Sequence, residues 1–174
     1  MADPGSDAQA MRAAIVAALP RLRRFCRGLT GHGEDGDDLM QSTVERALGR
    51  AHLFEAGTRV DAWMFRIARN LHIDAVRAGS RRGQQIDIEE IAETRGEDGR
   101  DLVENRSDLA AAQRALQTVP EDQRSAFLLV VVEGLSYREA AEVLEVPVGT
   151  IMSRLARARS RIDAAVGRSG GGLQ

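Results

Sequence analysis

Apolar residues recur at three- and four-residue intervals along most of the chain, the period of a helix with one buried face. Ile15, Leu19, Leu22, Phe25, Cys26 and Leu29 fall on one side of a helix predicted over residues 11–29. Pro20 lies inside that run, where it either starts a helix or kinks one. The polar stretch Gly31–Gly36 reads as a loop. Asp37 is then placed to cap a helix reaching about Ala51, with Met40, Val44, Ala47, Leu48 and Ala51 as its core stripe. After a loop at Glu55–Thr58, a long helix is predicted from Val60 to Ala78, burying Trp63, Met64, Ile67, Ala68 and Leu71. Gly79–Gly83 closes this first block.

The next stretch differs in kind. Residues 83–108 carry 3 arginines against 9 acidic residues and few large apolar side chains. That composition reads as a flexible acidic linker, in which Ile86, Ile88 and Ile91 are candidates for a docked piece or a short helix. Periodicity resumes near Asp108: Leu109, Ala112, Leu116 and Val119 define one helix, and Pro120 opens the next. Leu128–Val132 suits a buried strand on propensity alone. Gly134 behind it suits a helix C-terminus, and the motif that follows needs a supporting helix, so it is read as helical. The expected architecture is all-α: a helical domain over residues 10–82, a linker over 83–107, and a second helical domain over 108–168. A glycine-rich tail follows from Ser169.

The second domain contains an ordered motif. Ser136-Tyr137-Arg138-Glu139 is a capping box, in which hydroxyl and carboxylate each satisfy a backbone N–H of the first turn. Ala140, Ala141 and Leu144 then face inward, the alanines letting a second helix approach closely. Glu145-Val146-Pro147 forms the turn, with Pro147 near the next helix start. In that helix Ile151, Leu155, Ala158 and Ile162 make the buried stripe. Thr150, Ser153, Arg154, Arg157 and Arg161 lie on the opposite face. An apolar back, short polar groups near the N-terminus and arginines for base edges and phosphates suit a recognition helix in the major groove. A solvated arginine-rich helix is the bland reading; the helix, turn and second helix in this order favour DNA.

Charge and composition refine the picture. The formal charge of −2 over 174 residues looks unsuited to nucleic acid, but residues 1–82 hold 13 arginines against 10 acids and residues 109–174 hold 8 against 7. Two mildly basic blocks thus flank an acidic one. Every basic residue is arginine, which suits phosphate and guanine recognition but also follows from GC-rich codon usage. Cys26 is the sole cysteine, so no intramolecular disulfide forms, and it reads as a core thiol. His32, His52 and His72 are scattered and build no zinc site. No cofactor motif and no acid, base or nucleophile constellation emerges, so an enzyme is not expected. No apolar run is long enough to span a membrane and the N-terminus lacks a signal-peptide layout, which predicts a cytoplasmic protein without membrane insertion.

Read together, the two blocks resemble one family. Gly134–Ala141 and Val146–Leu155 resemble region 4 of the extracytoplasmic-function (ECF) sigma factors of the sigma-70 family. Asp38–Leu48 resembles the region 2 helix that binds the polymerase clamp, and Asp61–Asp74 the promoter-opening part of region 2. The resemblance implies a two-domain promoter-specificity subunit that binds the clamp of the β′ subunit of bacterial core RNA polymerase and borrows its catalysis. Region 4 would read the −35 element in the duplex, region 2 would open the −10 element and hold the non-template strand, and a separate anti-sigma factor would restrain both.

Carried onto this chain, the −35 contacts fall at Thr150, Met152, Ser153, Arg154, Ala156, Arg157 and Arg161. The −10 contacts fall at Arg66, Arg69, Asn70, Ile73 and Arg77, which share one helical face, read as lying away from the Trp63 side. Arginines there can track a displaced strand and Asn70 can bond an unstacked base edge. Asn70 and the loop near Phe54 to Asp61 would hold a flipped base, whose extrusion costs a few kcal/mol. The polymerase contacts fall at Asp38, Leu39, Gln41, Ser42 and Glu45. The chain departs from the family at Ser42, Val44 and Leu48, where acidic and aromatic residues are usual, and at Met152, where a basic residue is common. Two rival readings are a sigma-like decoy that titrates an anti-sigma factor and an ordinary helix-turn-helix regulator. The second leaves Asp38–Asp74 unexplained.

Overall fold

The computed structural model describes residues 4–54, 57–83 and 103–169. Within them the chain forms α1 (Pro4–Thr30), α2 (Gly33–Gly49), a 3-10 turn (Ala51–Leu53), α3 (Val60–Gly83), α4 (Val103–Gln117) and α5 (Glu121–Phe127). A π-helical turn (Leu128–Val132), α6 (Tyr137–Leu144) and α7 (Val148–Ser169) complete it. No strand occurs among the described residues, and the all-α reading holds. Ile86, Ile88 and Ile91 of the expected linker lie outside the described residues.

Helices α1, α2 and α3 pack as an N-terminal unit. Leu22, Phe25, Cys26, Leu29, Ala47, Met64, Phe65 and Ala68 have no exposure at all. The Phe25 and Phe65 rings meet tilted at 4.9 Å between centroids. Burying a side chain of that size contributes roughly 1.5–3 kcal/mol, so α3 is anchored chiefly through Met64 and Phe65. Phe65 was absent from the expected buried side, which the structure widens to include it and His72.

Several expected boundaries shift for local reasons. Helix α1 runs unbroken through Pro20. Proline removes the bond to the carbonyl four residues earlier, that of Val16. Val16 and Pro20 both lie on the exposed face, where water can serve that carbonyl. Helix α2 starts at Gly33, not at Asp37, and no side chain caps it. Gly36, expected in a loop, is buried in α2 because a Cβ there would lie 2.7 Å from the Arg27 Cα. Asp37 instead straps the helices: Arg23 and Arg27 each donate two hydrogen bonds to its carboxylate, at 2.8–3.0 Å. Those bonds hold its pKa well below the usual carboxylate range. The α2 stripe is also rotated. Thr43 and Ala47 are fully buried, while Leu48 is 47% exposed. Thr43 avoids an unpaired hydroxyl by donating to the Leu39 carbonyl at 2.7 Å. Gly79–Gly83, expected to end the block, continues α3.

The C-terminal unit begins at Val103, earlier than the expected 108. Ala115 and Val119 are buried and Ala112 is exposed, so the α4 stripe is offset from the expected one. Leu128–Val132 is helical, but wound wide: the Glu133 N–H reaches the Leu128 carbonyl at 2.9 Å, and the Leu135 N–H reaches Leu129 at 2.9 Å. Gly134, at φ 70°, ends the turn. The capping box forms in full. Ser136 Oγ accepts from the Glu139 N–H at 3.2 Å, and the Ser136 N–H donates to Glu139 Oε2 at 2.7 Å. Ala140, Ala141, Val143 and Leu144 pack inward. Glu145 turns the chain in the left-handed region at φ 54°, and α7 follows with Ile151, Leu155 and Ala158 buried.

The two units pack directly on each other. Leu128 lies against Gly28, where a Cβ would sit 2.5 Å from Leu128 Cδ2, so this approach requires a position without a side chain. Gln117 Nε2 donates to the Gly28 carbonyl at 3.0 Å beside it.

Candidate nucleic-acid and polymerase interfaces

Helix α7 presents an open face. Met152 is 56% exposed, and Ser153, Ala156, Arg157 and Arg161 are exposed with it. Ser153 Oγ donates to the Thr150 carbonyl at 3.0 Å, which ties down the first turn. Arg154 departs from the expected face. Its side chain is only 16% exposed and its Nε lies 3.3 Å from Asp122 Oδ2 of α5. It follows Ile151 by three positions and precedes Leu155 by one, so it sits at the edge of the buried stripe. Thr150 is half-buried.

Helix α3 carries its arginines differently. Arg66 Nη2 donates to the Glu142 carbonyl at 2.6 Å, and Nη1 lies 3.8 Å from Glu145 Oε1. Arg69, 16% exposed, has its Nε 3.9 Å from Glu121 Oε1. Both partners belong to the C-terminal unit. Asn70 and Arg77 are exposed and Ile73 is half-buried. The face does not lie away from Trp63: Trp63 and Arg66 line one crevice with Arg59, Glu139, Glu142 and Val143. Residues three apart are neighbours on a helix, which accounts for the correction.

The same pairing of signs continues along the seam. Arg59 Nη1 donates to Glu139 Oε1 at 2.7 Å while Glu139 also caps α6. Those bonds hold the Glu139 carboxyl at about 2, led by the Ser136 backbone N–H. Glu133, whose side chain has no exposure, accepts from Arg21 Nε at 3.2 Å and from Arg24 Nε and Nη2 at 3.2 and 3.0 Å. Arg21 also bonds Asp61 and the Glu133 carbonyl, and lies over the Phe65 ring. A buried carboxylate is tolerated only when charged donors satisfy it, and here they come from the other unit. At the far end His72 is buried, its Nε2 without a partner. Burial, helped by Arg124, lowers its pKa, with Glu121 opposing.

Three grooves flank the N-terminal unit. One of about 900 Å³ runs between α1 and α2, lined by Leu19, Arg23, Arg24, Asp38, Gln41 and Glu45 among others. It brings together three of the expected polymerase contacts. Gln41 Nε2 donates to Glu45 Oε1 at 3.1 Å across one turn. Leu39 and Ser42 face another groove, with Leu71 and His72. A third groove, of about 630 Å³, is lined by Met11, Ala14, His52, Phe54 and Val60. Phe54 and Val60 belong to the loop expected to hold a flipped base, whose Gly57, Thr58 and Arg59 line the seam crevice instead, and Phe54 meets Trp63 edge-on at 5.3 Å. Asn70 does not line the third groove. Cys26 is a core thiol as expected, and burial pushes it up to about 12.

Among the described residues no group of three or more His, Cys, Asp and Glu side chains gathers to hold a metal. None of their helices is long and apolar enough to cross a membrane. Sequence reasoning missed Glu133, Glu121, Glu142, Arg21, Arg24 and Arg59. Each is a polar residue on a helix or at the end of one, and no local pattern marks a polar residue that meets another domain.

An open arginine face on the second helix of a helix-turn-helix, and an arginine face on a separate helical unit beside a groove of mixed charge, define a two-unit promoter-recognition protein. Residues 109–162 match the family described as Sigma-70, region 4, and residues 15–69 match the Sigma2 domain of PhyR. The chain is 37% identical to the ECF RNA polymerase sigma factor EcfG of Rhodopseudomonas palustris, over 88% of this chain and 83% of that one. It is 35% identical to SigC of Mycobacterium tuberculosis, over 91% and 84%. Among solved structures, the sigma factor RpoE in complex with the anti-sigma factor NepR, from Bartonella quintana, superposes with a TM-score of 0.75 at 31% identity. That likeness covers 91% of this chain and 98% of that one. The chain belongs to the ECF RNA polymerase sigma factors: it binds core RNA polymerase and promoter DNA and directs transcription initiation.

Proposed function

We propose that the three surfaces divide the work of a sigma factor. Met152, Ser153, Ala156, Arg157 and Arg161 of α7 read the −35 duplex, with Thr150 at the helix start and Arg154 as the strut that fixes the helix on Asp122. Of these, Ser153 and Arg157 can bond base edges or phosphates, and Met152 and Ala156 offer apolar contact only. Arg66, Arg69, Asn70, Ile73 and Arg77 of α3 hold the opened −10 strand. Asp38, Leu39, Gln41, Ser42 and Glu45 of α2 seat the clamp of the β′ subunit along the α1–α2 groove and its neighbour. The polymerase supplies the catalysis, and the chain works in the cytoplasm. Residues 10–82 and 108–168 are the region 2 and region 4 domains, joined by 83–107.

The observation that carries this reading is the open, arginine-bearing face of α7 standing on a fully formed capping box and a buried Ile151–Leu155–Ala158 stripe. We further propose that a separate anti-sigma protein restrains the chain, as NepR is bound to RpoE of Bartonella quintana. Reconstitution with core polymerase on promoters upstream of genes lost in a deletion strain tests the whole reading. Promoter-specific initiation is expected, and initiation indistinguishable from core polymerase alone would sink it. The decoy reading draws on the match to a PhyR domain. It predicts that the double variant Asn70→Ala, Arg157→Ala keeps every activity, whereas the sigma reading predicts loss of initiation.

A further inference from the structure

The exposed side of α7 is divided along its length. A helix advances about 100° per residue, so Val148, Met152 and Ala156 climb one flank within about 80° of each other. Ser153, Arg157 and Arg161 climb a second flank, which begins about 100° further round. Ile151, Leu155 and Ala158 hold the back of the helix in the core. Val148 and Met152 are large apolar side chains left in solvent, 42% and 56% exposed. Burial within the chain does not account for them.

The polar flank is biased too. Ser153 Oγ donates its proton to the Thr150 carbonyl at 3.0 Å, so toward a ligand it presents lone pairs. Arg157, one turn further on, presents only donors. One flank thus offers apolar surface, and the other an acceptor followed by a fork of donors.

A helix lying in the major groove turns its two flanks toward the two strands. An A·T pair shows there what these flanks fit: the thymine 5-methyl group on one strand, and the adenine N6 amino donor with the N7 acceptor on the other. A C·G pair in the same orientation would bury the cytosine amino group against Met152 and set guanine O6, an acceptor, against the Ser153 oxygen. Polar groups left unpaired in this way cost affinity. We infer that α7 selects A·T pairs in the −35 duplex by packing Met152, flanked by Val148 and Ala156, on the thymine methyl groups of one strand while Ser153 accepts from adenine N6 on the other. This rests on the reading of α7 as the duplex-reading helix, and names the bases it takes. Met152 is the residue that determines the specificity.

Full-length protein reconstituted with core polymerase tests it, by selecting duplexes from a promoter library randomised through the −35 element. The selected duplex is then remade with deoxyuridine for thymidine, which keeps the base pair and removes only the 5-methyl group. Wild type is expected to enrich neighbouring A·T pairs with their thymines on one strand. It should lose about fourfold in affinity for each methyl group removed from that strand. Met152→Ala should bind the thymine duplex more weakly and be indifferent to uracil. Met152→Gln, whose amide bonds base edges, should enrich a different sequence. Met152 is exposed, so both variants keep the core intact.

Enriched pairs without thymine, or no uracil penalty in wild type, overturn the methyl readout and leave α7 reading the duplex through other contacts. A uracil penalty that persists undiminished in Met152→Ala belongs to duplex shape, and overturns it equally. Unchanged selection by Met152→Gln with weaker binding of core polymerase makes the apolar flank a protein contact, which also overturns it. No enrichment at the −35 element, with the −10 element still required, is a distinct failure: it removes α7 from duplex reading and takes this inference with it.

Discussion

Helices α3 and α7 each carry a row of arginines beside a buried apolar stripe, yet they end in opposite circumstances. Arg157 and Arg161 of α7 are exposed, whereas Arg66 and Arg69 of α3 terminate on groups of the other unit. The difference does not lie in the helices. Both are long, amphipathic and anchored through fully buried residues, Met64 and Phe65 in one and Ile151 in the other. It lies in what stands opposite. Among the described residues the Met152–Arg157–Arg161 face of α7 stays exposed, while the acidic edge of α5 and α6 is laid along α3. Helical periodicity tells which side of a helix leaves its own core; it is silent on whether another domain arrives there.

The largest effect should come from removing an anchor. Phe65→Ala deletes a fully buried ring that packs on Phe25, and should destabilise the protein by about 3–5 kcal/mol in thermal or denaturant unfolding. A loss below 1 kcal/mol would mean that α3 is held mainly by the seam and not by its own core.

Next comes the contrast itself. Arg157→Ala should weaken binding of the free protein to a −35 duplex by about 1–3 kcal/mol if its fork is bidentate to a base. Arg69→Ala should leave that binding unaltered and impair only open-complex formation with polymerase. Fluorescence anisotropy with and without core enzyme separates the two, and equal effects from both variants would erase the distinction between the faces. An equal loss on every duplex sequence would move Arg157 to the backbone.

Losing the cap should cost less. Ser136→Ala removes the acceptor for the Glu139 N–H and should lower stability by about 1 kcal/mol in unfolding experiments, with duplex affinity following as α6 loosens.

The smallest effect concerns acid. The pKa of His72 is lowered in the folded protein, so the native state favours the neutral ring. The unfolded chain takes up its proton near the ordinary value, about 6.5. Stability from this site is therefore full above about pH 6.5 and is lost as pH falls below it. Arg124 and Glu121 face His72 from α5, and Asp35 and Asp38 line the groove it borders on α2. A melting temperature that falls between pH 7 and 5.5 in wild type, and falls less in His72→Gln, is expected. Identical pH profiles would remove His72 from the account.

Much of the C-terminal unit was legible in the sequence. The Ser136–Glu139 capping box, the inward Ala140, Ala141 and Leu144, and the Ile151–Leu155–Ala158 stripe all depend on neighbours within a few turns. The N-terminal unit was legible in its helices but less so in its faces. Asp37 looked like a cap and serves as a strap to Arg23 and Arg27, because its partners come from another helix. Leu48 looked buried and Thr43 did not. A hydroxyl that returns its hydrogen bond to Leu39 packs as well as a small apolar group. Arg154 was placed on the DNA face, where its spacing puts it, until Asp122 drew it aside. The seam was not legible at all, since each of its pairs joins residues dozens of positions apart whose chemistry is that of any solvated surface.

The widened turn at Leu128–Val132 makes the length of this segment matter as much as its side chains. The Glu133 N–H skips one residue beyond the usual helical partner to reach Leu128, so the turn holds one residue more than an ordinary helix would place there. Deleting Val131, an exposed residue at 46%, would let the segment wind as a standard α-helix. Each residue of such a helix advances about 100° around the axis. Glu133 would then swing off the Arg21–Arg24 pair while Leu128 stayed against Gly28. A single codon's worth of chain thus acts as a ruler, setting the rotational phase between the two halves of the molecule. Across relatives, insertions and deletions at this point, more than substitutions, should separate proteins that fold shut from proteins that stand open.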